Sequence, residues 1–338
     1  MIIVLKPGIS TKDEKAVLAE IRKLGYQPHV MRGVARVVVG AIGDERRNAS
    51  LETLSSWPQV ESVTPIQKRY KLVSREAHTA NSEVRVNDRV VIGGPKVQIM
   101  AGPCSVESEK QLLATAEAVA EAGATVLRGG AFKPRTSPYE FQGLGEKGLK
   151  LLAKARRQTG LAIITELLSE QHTEMVAEYA DILQIGARNA QNFQLLIAAA
   201  RTGKPVLLKR GLSMKIEEWL LAGEYVLSNE NPNLLFCERG IRTFETYTRN
   251  TLDLSTIPIL KKESHCPVVI DPSQGAGRSD LVIAMCKGAV AMGADSLLIE
   301  VHPNPSEAWS DGAQQLTLEG FARLMKELKP FLAAAGRE

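Results

Sequence analysis

Eight short, nearly continuous apolar runs recur between residues 97 and 338, each closing on glycine or a charged side chain and followed by a helical pattern. They are KVQIMAGPCS, ATVLRGGAFK, LAIITEL, ADILQIGARN, PVLLKRG, NLLFCERG, PVVIDPSQ and SLLIEVHP. A strand that is apolar at every position needs cover on both faces, and a helix between successive strands sets them parallel. Eight such units in one stretch predict an α/β fold, a closed (β/α)8 barrel, with an open doubly wound sheet as the competing architecture. Neither a GxGxxG nor a Walker-type phosphate loop follows any run, so dinucleotide and P-loop readings lose their main support.

The N-terminal segment reads differently. MIIVLKP is a short strand, and Thr11 opens a helix whose apolar positions Ala16, Val17, Ile21 and Leu24 recur at three and four before Gly25 stops it. PHVMRG and ARVVVGAIG follow as strands, then a second helix from Ser50 to Trp57, then VESVTPI as a strand. The order βαββαβ predicts a small α+β ferredoxin-like domain over residues 1–66. Residues 1–96 carry 16 basic and 10 acidic side chains, and much of that excess sits in QKRYKLVSRE, around Lys68 to Glu76. Polar and without helical periodicity, this stretch reads as a solvated connector, giving a linker over 67–84 and a barrel over 85–338.

Composition narrows the function class. Across the 338 residues, 42 lysines and arginines stand against 38 acidic residues, and a net charge of +4 on so long a chain offers no footprint for a nucleic acid. No run approaches the roughly 20 apolar residues that span a bilayer. MIIVLKPG is interrupted by Lys6 and Pro7 too soon for a signal peptide, so a cytoplasmic protein with neither membrane nor nucleic-acid partners is expected. Cys104, Cys237, Cys266 and Cys286 show no CxxC spacing, which argues against a disulfide framework or zinc ribbon; any one of them is either a core thiol or a metal ligand.

In a barrel of this kind the chemistry sits where the strands end. The runs deliver Cys104; Arg128 with Lys133 and Arg135; Glu166; Arg188 and Asn189; Lys209 and Arg210; Glu238 and Arg239; Asp271 and Gln274; and Glu300 with His302. Six cations, Arg128, Lys133, Arg135, Arg188, Lys209 and Arg239, exceed what one phosphate needs, and they imply two anionic groups. DPSQGAGR adds free backbone N–H groups and Arg278 as a further phosphate contact. Cys104, Glu300 and Asp311 form a second group, one thiolate and two carboxylates suited to a divalent cation such as Mn²⁺, Fe²⁺ or Zn²⁺, against the alternative of core packing for the cysteine.

At these motifs the chain resembles the 3-deoxy-D-arabino-heptulosonate 7-phosphate (DAHP) synthases, type I beta, with an N-terminal ferredoxin-like regulatory domain. IMAGPCSVES, VLRGGAFKPRTSPYEFQGLG, LQIGARNAQNF, VLLKRG, CERGIRTFE, VIDPSQGAGRSDLV and IEVHPNPSEAWSDG carry the resemblance, which covers essentially the whole chain. It implies a transferase that condenses phosphoenolpyruvate with D-erythrose 4-phosphate and water on a TIM barrel, the first step of the shikimate pathway of aromatic amino acid biosynthesis. Carried over, it puts phosphoenolpyruvate on Arg128, Lys133, Arg188, Lys209 and Arg239, and the erythrose phosphate on Arg135, Thr136 and Ser137, with His302 near the sugar phosphate. It assigns the chemistry to Lys133, Cys104 and Asp271, with Lys133 supplying charge or a proton to the developing alkoxide. Tyrosine or phenylalanine as an allosteric effector and a homotetramer are further expectations of the resemblance.

One departure stands out. The family's metal set is Cys, His, Glu and Asp with the histidine in DPSH, whereas this chain reads DPSQ, giving Cys104, Gln274, Glu300 and Asp311. The cation expected from the family is Mn²⁺, Co²⁺, Fe²⁺ or Zn²⁺, and a glutamine oxygen shifts preference toward Mn²⁺ or Mg²⁺, with His302 as a possible compensating ligand. Gln274 is natural or engineered in a working enzyme, or marks a metal-impaired paralogue that senses an amino acid or uses another aldose phosphate. The related synthase that uses arabinose 5-phosphate reads KANRSS where this chain has KPRTS.

Overall fold

The eight apolar runs close into a parallel barrel in the computed structural model, which describes residues 1–32, 36–43, 50–64 and 69–338. The chain divides into two compact units, Met1–Arg69 and Tyr70–Glu338.

In the first unit, β1 (Ile2–Leu5), α1 (Thr11–Lys23), β2 (Gln27–Arg32), β3 (Val37–Ile42) and β4 (Val60–Thr64) follow the expected order, and the antiparallel sheet runs β2-β3-β1-β4. Ser10 caps α1 by accepting the Asp13 N–H, acidic residues open the helix and Arg22 and Lys23 close it. The buried stripe of Val17, Leu18 and Ile21 packs with Ile3, Leu5 and Val39. The second expected helix is a 3-10 helix, Leu51–Ser56, capped by Ser50 and burying only Leu51 and Leu54. A short amphipathic turn with two apolar anchors needs no full α-helix to cover its part of the sheet. Gly33, Val34 and Ala35 of the two central runs, and Pro65 to Lys68 around the expected domain boundary, lie outside the described residues.

The second unit opens with a departure from the sequence reading. The stretch read as a solvated connector is fastened to its own unit from Tyr70 onward. Tyr70 Oη donates to Glu263 at 2.7 Å, the Leu72 N–H donates to Glu224, and Val73 is fully buried in the main core. Tyr70, Leu72 and Val73 are the apolar members of a stretch whose lysines and arginines dominated its appearance. A hairpin of β5 (Val84–Arg85) and β6 (Val91–Ile92) follows, its Val84, Val90 and Ile92 packing on the inward Met100, Ile164 and Leu298. Gln98 at the start of the first barrel strand donates to Val91 O, so the hairpin plugs the N-terminal end and leaves the other end as the mouth.

The barrel strands are β7 (Gln98–Gly102), β8 (Val126–Arg128), β9 (Ala162–Glu166), β10 (Ile182–Ile185), β11 (Val206–Lys209), β12 (Leu234–Glu238), β13 (Val268–Ile270) and β14 (Ser296–Glu300), closed by β14 pairing with β7 from Ser296↔Gln98 to Glu300↔Gly102. Helices α2 (Glu109–Glu121), α3 (Glu146–Thr159), α4 (Thr173–Tyr179), α5 (Phe193–Arg201), α6 (Ile216–Leu227), α7 (Thr256–Glu263), α9 (Ser279–Ala291) and α10 (Leu318–Ala334) alternate with them, and a short α8 (Pro272–Ala276) follows β13. Gly102 sits at φ 152°, where a Cβ would lie 2.2 Å from Arg128 O; only glycine lets the end of β7 come this close to β8 at the mouth. Among the described residues no helix is long and apolar enough to cross a membrane.

Candidate active site

Because the strands run parallel, their C-terminal residues converge, and a cavity of about 260 Å³ opens there. Its walls carry seven cations, Arg128, Lys133, Arg135, Arg188, Lys209, Arg239 and Arg249, against the three carboxylates Glu140, Glu166 and Asp311. The six cations read from the sequence therefore share one cavity. Thr136 lines it as well; Ser137 is not part of the wall, and its hydroxyl accepts the Tyr139 N–H. Among the described residues, Arg188 and Arg239 line the cavity without an ion pair to a carboxylate. Burial lowers the pKa of Arg239, the direction in which an anionic ligand would be most strongly felt.

The floor is a web of buried charges. Lys133 Nζ donates to Cys104 Sγ at 3.0 Å and to Cys104 O at 3.1 Å, while the Cys104 thiol faces Asp311 Oδ2 at 3.5 Å. Arg128 donates to Glu300 Oε1 at 3.0 Å, and Lys209 meets Asp271 Oδ2 at 2.5 Å. Burial, then Glu300, push the Cys104 thiol up. Burial works against the Lys133 ammonium, but Cys104, Glu166 and Glu300 outweigh it and the net direction is up. For Asp311, burial is outweighed by Arg249 and Lys133, which hold the carboxyl below its usual range.

Cys104, Glu300 and Asp311 present one ligand atom each, all within 4.8 Å of one another. A thiolate with two carboxylates suits a borderline divalent cation, so these residues fit the metal that the resemblance implies. Gln274 adjoins them, but its Nε2 rather than its oxygen faces the carboxylates, donating to Glu300 Oε1 at 3.0 Å and Asp311 Oδ2 at 3.4 Å, while its Oε1 accepts from Arg239 at 3.0 Å.

Several expectations are corrected. His302 is buried away from this trio: its Nδ1 accepts the Asn304 N–H, which leaves Nε2 to donate to Glu107 at 3.2 Å, so it is not placed to replace the missing imidazole. Nor does it line the cavity, because its ring is spent bracing the loop after β14 against Glu107. Asp271 lies beneath the wall, pairing with Lys209 and capping α8 by accepting the Gln274 N–H, and so positions two other residues. Arg210 and Glu238 pair with each other at 2.9 Å in the interior, and Arg278 pairs with Asp280 on the surface, where its neighbour's carboxylate takes the place of a phosphate. Three residues were missed. Arg249 bonds Gln314 and Asp311, the Gln314 amide donates to Glu300 at 2.6 Å, and Gln315 accepts the Cys104 N–H. Arg249 carried a signal, being a cation in the loop after the sixth run; the glutamines carried none, since neither charge nor spacing marks them.

Residues 76–334 match the model of the DAHP synthetase I family, and residues 1–68 match the DAHP synthase ferredoxin-like domain. The chain belongs to the DAHP synthetase I family. It is 50% identical to the phospho-2-dehydro-3-deoxyheptonate aldolase of Thermotoga maritima over 336 residues, 99% of both chains. A crystal structure of DAHP synthase from Thermotoga maritima superposes with a TM-score of 0.95 at 49% identity, covering 100% of this chain and 98% of that one. The 2-dehydro-3-deoxyphosphooctonate aldolase of Syntrophotalea carbinolica is 36% identical over 263 residues, 72% of this chain and 94% of that protein. Both the barrel and the N-terminal unit thus have counterparts in the DAHP synthase family, and the (β/α)8 architecture with a small antiparallel domain is the family's own.

Proposed function

We propose that this chain condenses phosphoenolpyruvate with D-erythrose 4-phosphate and water to give DAHP and inorganic phosphate, opening the shikimate pathway in the cytoplasm. The observation that carries the reading is the excess of cations over carboxylates in one cavity, with Arg188 and Arg239 unpaired among the described residues. Arg188 and Arg239 take the phosphate of phosphoenolpyruvate, Arg128 and Lys209 its carboxylate, and Arg135 with Thr136 the phosphate of the aldose. Cys104, Glu300 and Asp311 hold a divalent cation, Mn²⁺ or Mg²⁺ ahead of Co²⁺, Fe²⁺ or Zn²⁺ because an amide stands where the family has imidazole; when bound, it supplies Lewis acidity toward the aldehyde oxygen. C3 of the enol phosphate bonds to the aldehyde carbon, the Lys133 Nζ proton passes to the oxygen that becomes an alkoxide, and water adds at C2 before phosphate leaves. The N-terminal unit serves regulation, binding tyrosine or phenylalanine within a homotetramer.

The aldose is the discriminating test. Phosphate release from phosphoenolpyruvate should depend on erythrose 4-phosphate and stay near background with arabinose 5-phosphate. Equal or faster turnover of the five-carbon sugar would overturn the assignment.

A further inference from the structure

We infer that Gln274 is a relay that couples cation binding at Cys104, Glu300 and Asp311 to phosphate-group binding at Arg239. The inference rests on the functional reading above, and it concerns the one position where this chain departs from the family's metal set. A carboxamide has two unlike ends, a carbonyl oxygen that only accepts and an NH₂ that only donates. In the structure both are committed. Oε1 accepts from Arg239 Nη2 at 3.0 Å, and Nε2 donates to Glu300 Oε1 at 3.0 Å and to Asp311 Oδ2 at 3.4 Å. The amide therefore stands in for a cation, pointing partial positive charge at two carboxylates that Arg128, Gln314 and Arg249 also hold.

A divalent cation on the same oxygens is incompatible with that orientation, because the N–H bonds would point at it. Turning the amide by half a revolution about its last torsion presents Oε1 to the cation, and the NH₂ then faces the guanidinium of Arg239. Two donors face each other, so Arg239 loses its side-chain acceptor. It is a buried residue whose only other hydrogen bond among those described is a 3.4 Å contact to Gly240 O. A buried donor left without an acceptor is costly, and an incoming phosphate oxygen is the acceptor that the cavity provides. Cation and phosphate group thus favour the same amide orientation, and by linkage each must strengthen the other's binding by the same factor. A methionine at 274 has no carbonyl to give Arg239 in the first place, only a weakly accepting thioether, so it leaves the guanidinium about equally free with and without metal.

Calorimetric titration tests this without turnover. The affinity for phosphoenolpyruvate is measured with and without Mn²⁺, the affinity for Mn²⁺ with and without phosphoenolpyruvate, and both are repeated for Gln274→Met. Direct attraction between cation and anion contributes in every protein, so the comparison of coupling factors isolates the amide. The coupling factor of the chain as it stands should exceed that of the methionine variant by about fivefold or more, the lower end of typical coupling between sites. Inorganic phosphate as the probe should show the same excess. Equal factors in the two proteins would overturn the relay and leave the functional reading standing, whereas failure of phosphoenolpyruvate to bind either of them would overturn both.

Discussion

Lys133 Nζ lies 3.0 Å from Cys104 Sγ and 3.1 Å from the carbonyl of the same residue. One ammonium thus joins the loop after β8 to the chain beyond β7, bringing the proposed proton donor against a proposed cation ligand. Replacing Lys133 by alanine should lower kcat by about 10²- to 10⁴-fold, the usual worth of a positioned acid. Thermal melting should move little, since the side chain projects from a loop into a polar cavity. A variant that lost stability and activity in proportion would instead make Lys133 a structural residue.

Arg210 offers the opposite case. It lies within the barrel wall, donating to Glu238 at 2.9 Å and Asp253 at 3.0 Å, and Glu238 is fully buried with its carboxyl pushed up by that burial. Arg210→Met leaves a carboxylate without its counter-charge and should cost about 3–5 kcal/mol in denaturant unfolding. Adding Glu238→Leu should recover much of the loss. A double variant no more stable than the single one would contradict the pairing.

The segment after Tyr70 should respond to pH. His265 accepts the Ser82 hydroxyl at one ring nitrogen and meets Leu72 O at the other, and burial, ahead of His78 and Arg75, lowers its pKa from the usual 6.5. Tyr70, Lys71, Glu224, Glu263 and Cys266 are further ionisable groups at this contact. A base whose folded pKa is depressed contributes fully above its unfolded value, and the contribution is lost as pH falls from there through the folded value. Hydrogen exchange at Leu72 to Ser82 should therefore speed up, relative to the barrel strands, below about pH 6. In His265→Gln that acceleration should disappear; if it persists, the histidine is not the switch.

Deleting residues 1–66 should abolish inhibition by the aromatic amino acid and leave turnover largely intact. Initial rates with tyrosine or phenylalanine added, before and after truncation, give the answer. Persistent inhibition of the truncated protein would move the effector site to the barrel.

The barrel was legible because strands buried on both faces leave unbroken apolar runs, and the site was legible because those runs end in charge. Arg188 and Lys209 needed no partner to be noticed. What the sequence concealed are contacts between distant polar residues: Glu107 with His302, Gln314 with Glu300, Gln315 with Cys104. An uncharged glutamine in a loop looks the same whether it is solvated or buried against a carboxylate. The docking of Tyr70 to Ser82 was masked by its charge, since two buried apolar anchors, Tyr70 and Val73, carry no period of their own.

The most direct test is phosphate release from phosphoenolpyruvate and erythrose 4-phosphate by the chain as it stands, stripped with EDTA and then given Mn²⁺, Co²⁺, Zn²⁺ or Mg²⁺ singly. The stripped protein should be silent and turnover should return with at least one cation, Mn²⁺ foremost. Full rate after chelation would remove the metal role of Cys104, Glu300 and Asp311, and silence with every cation would contradict the synthase reading itself.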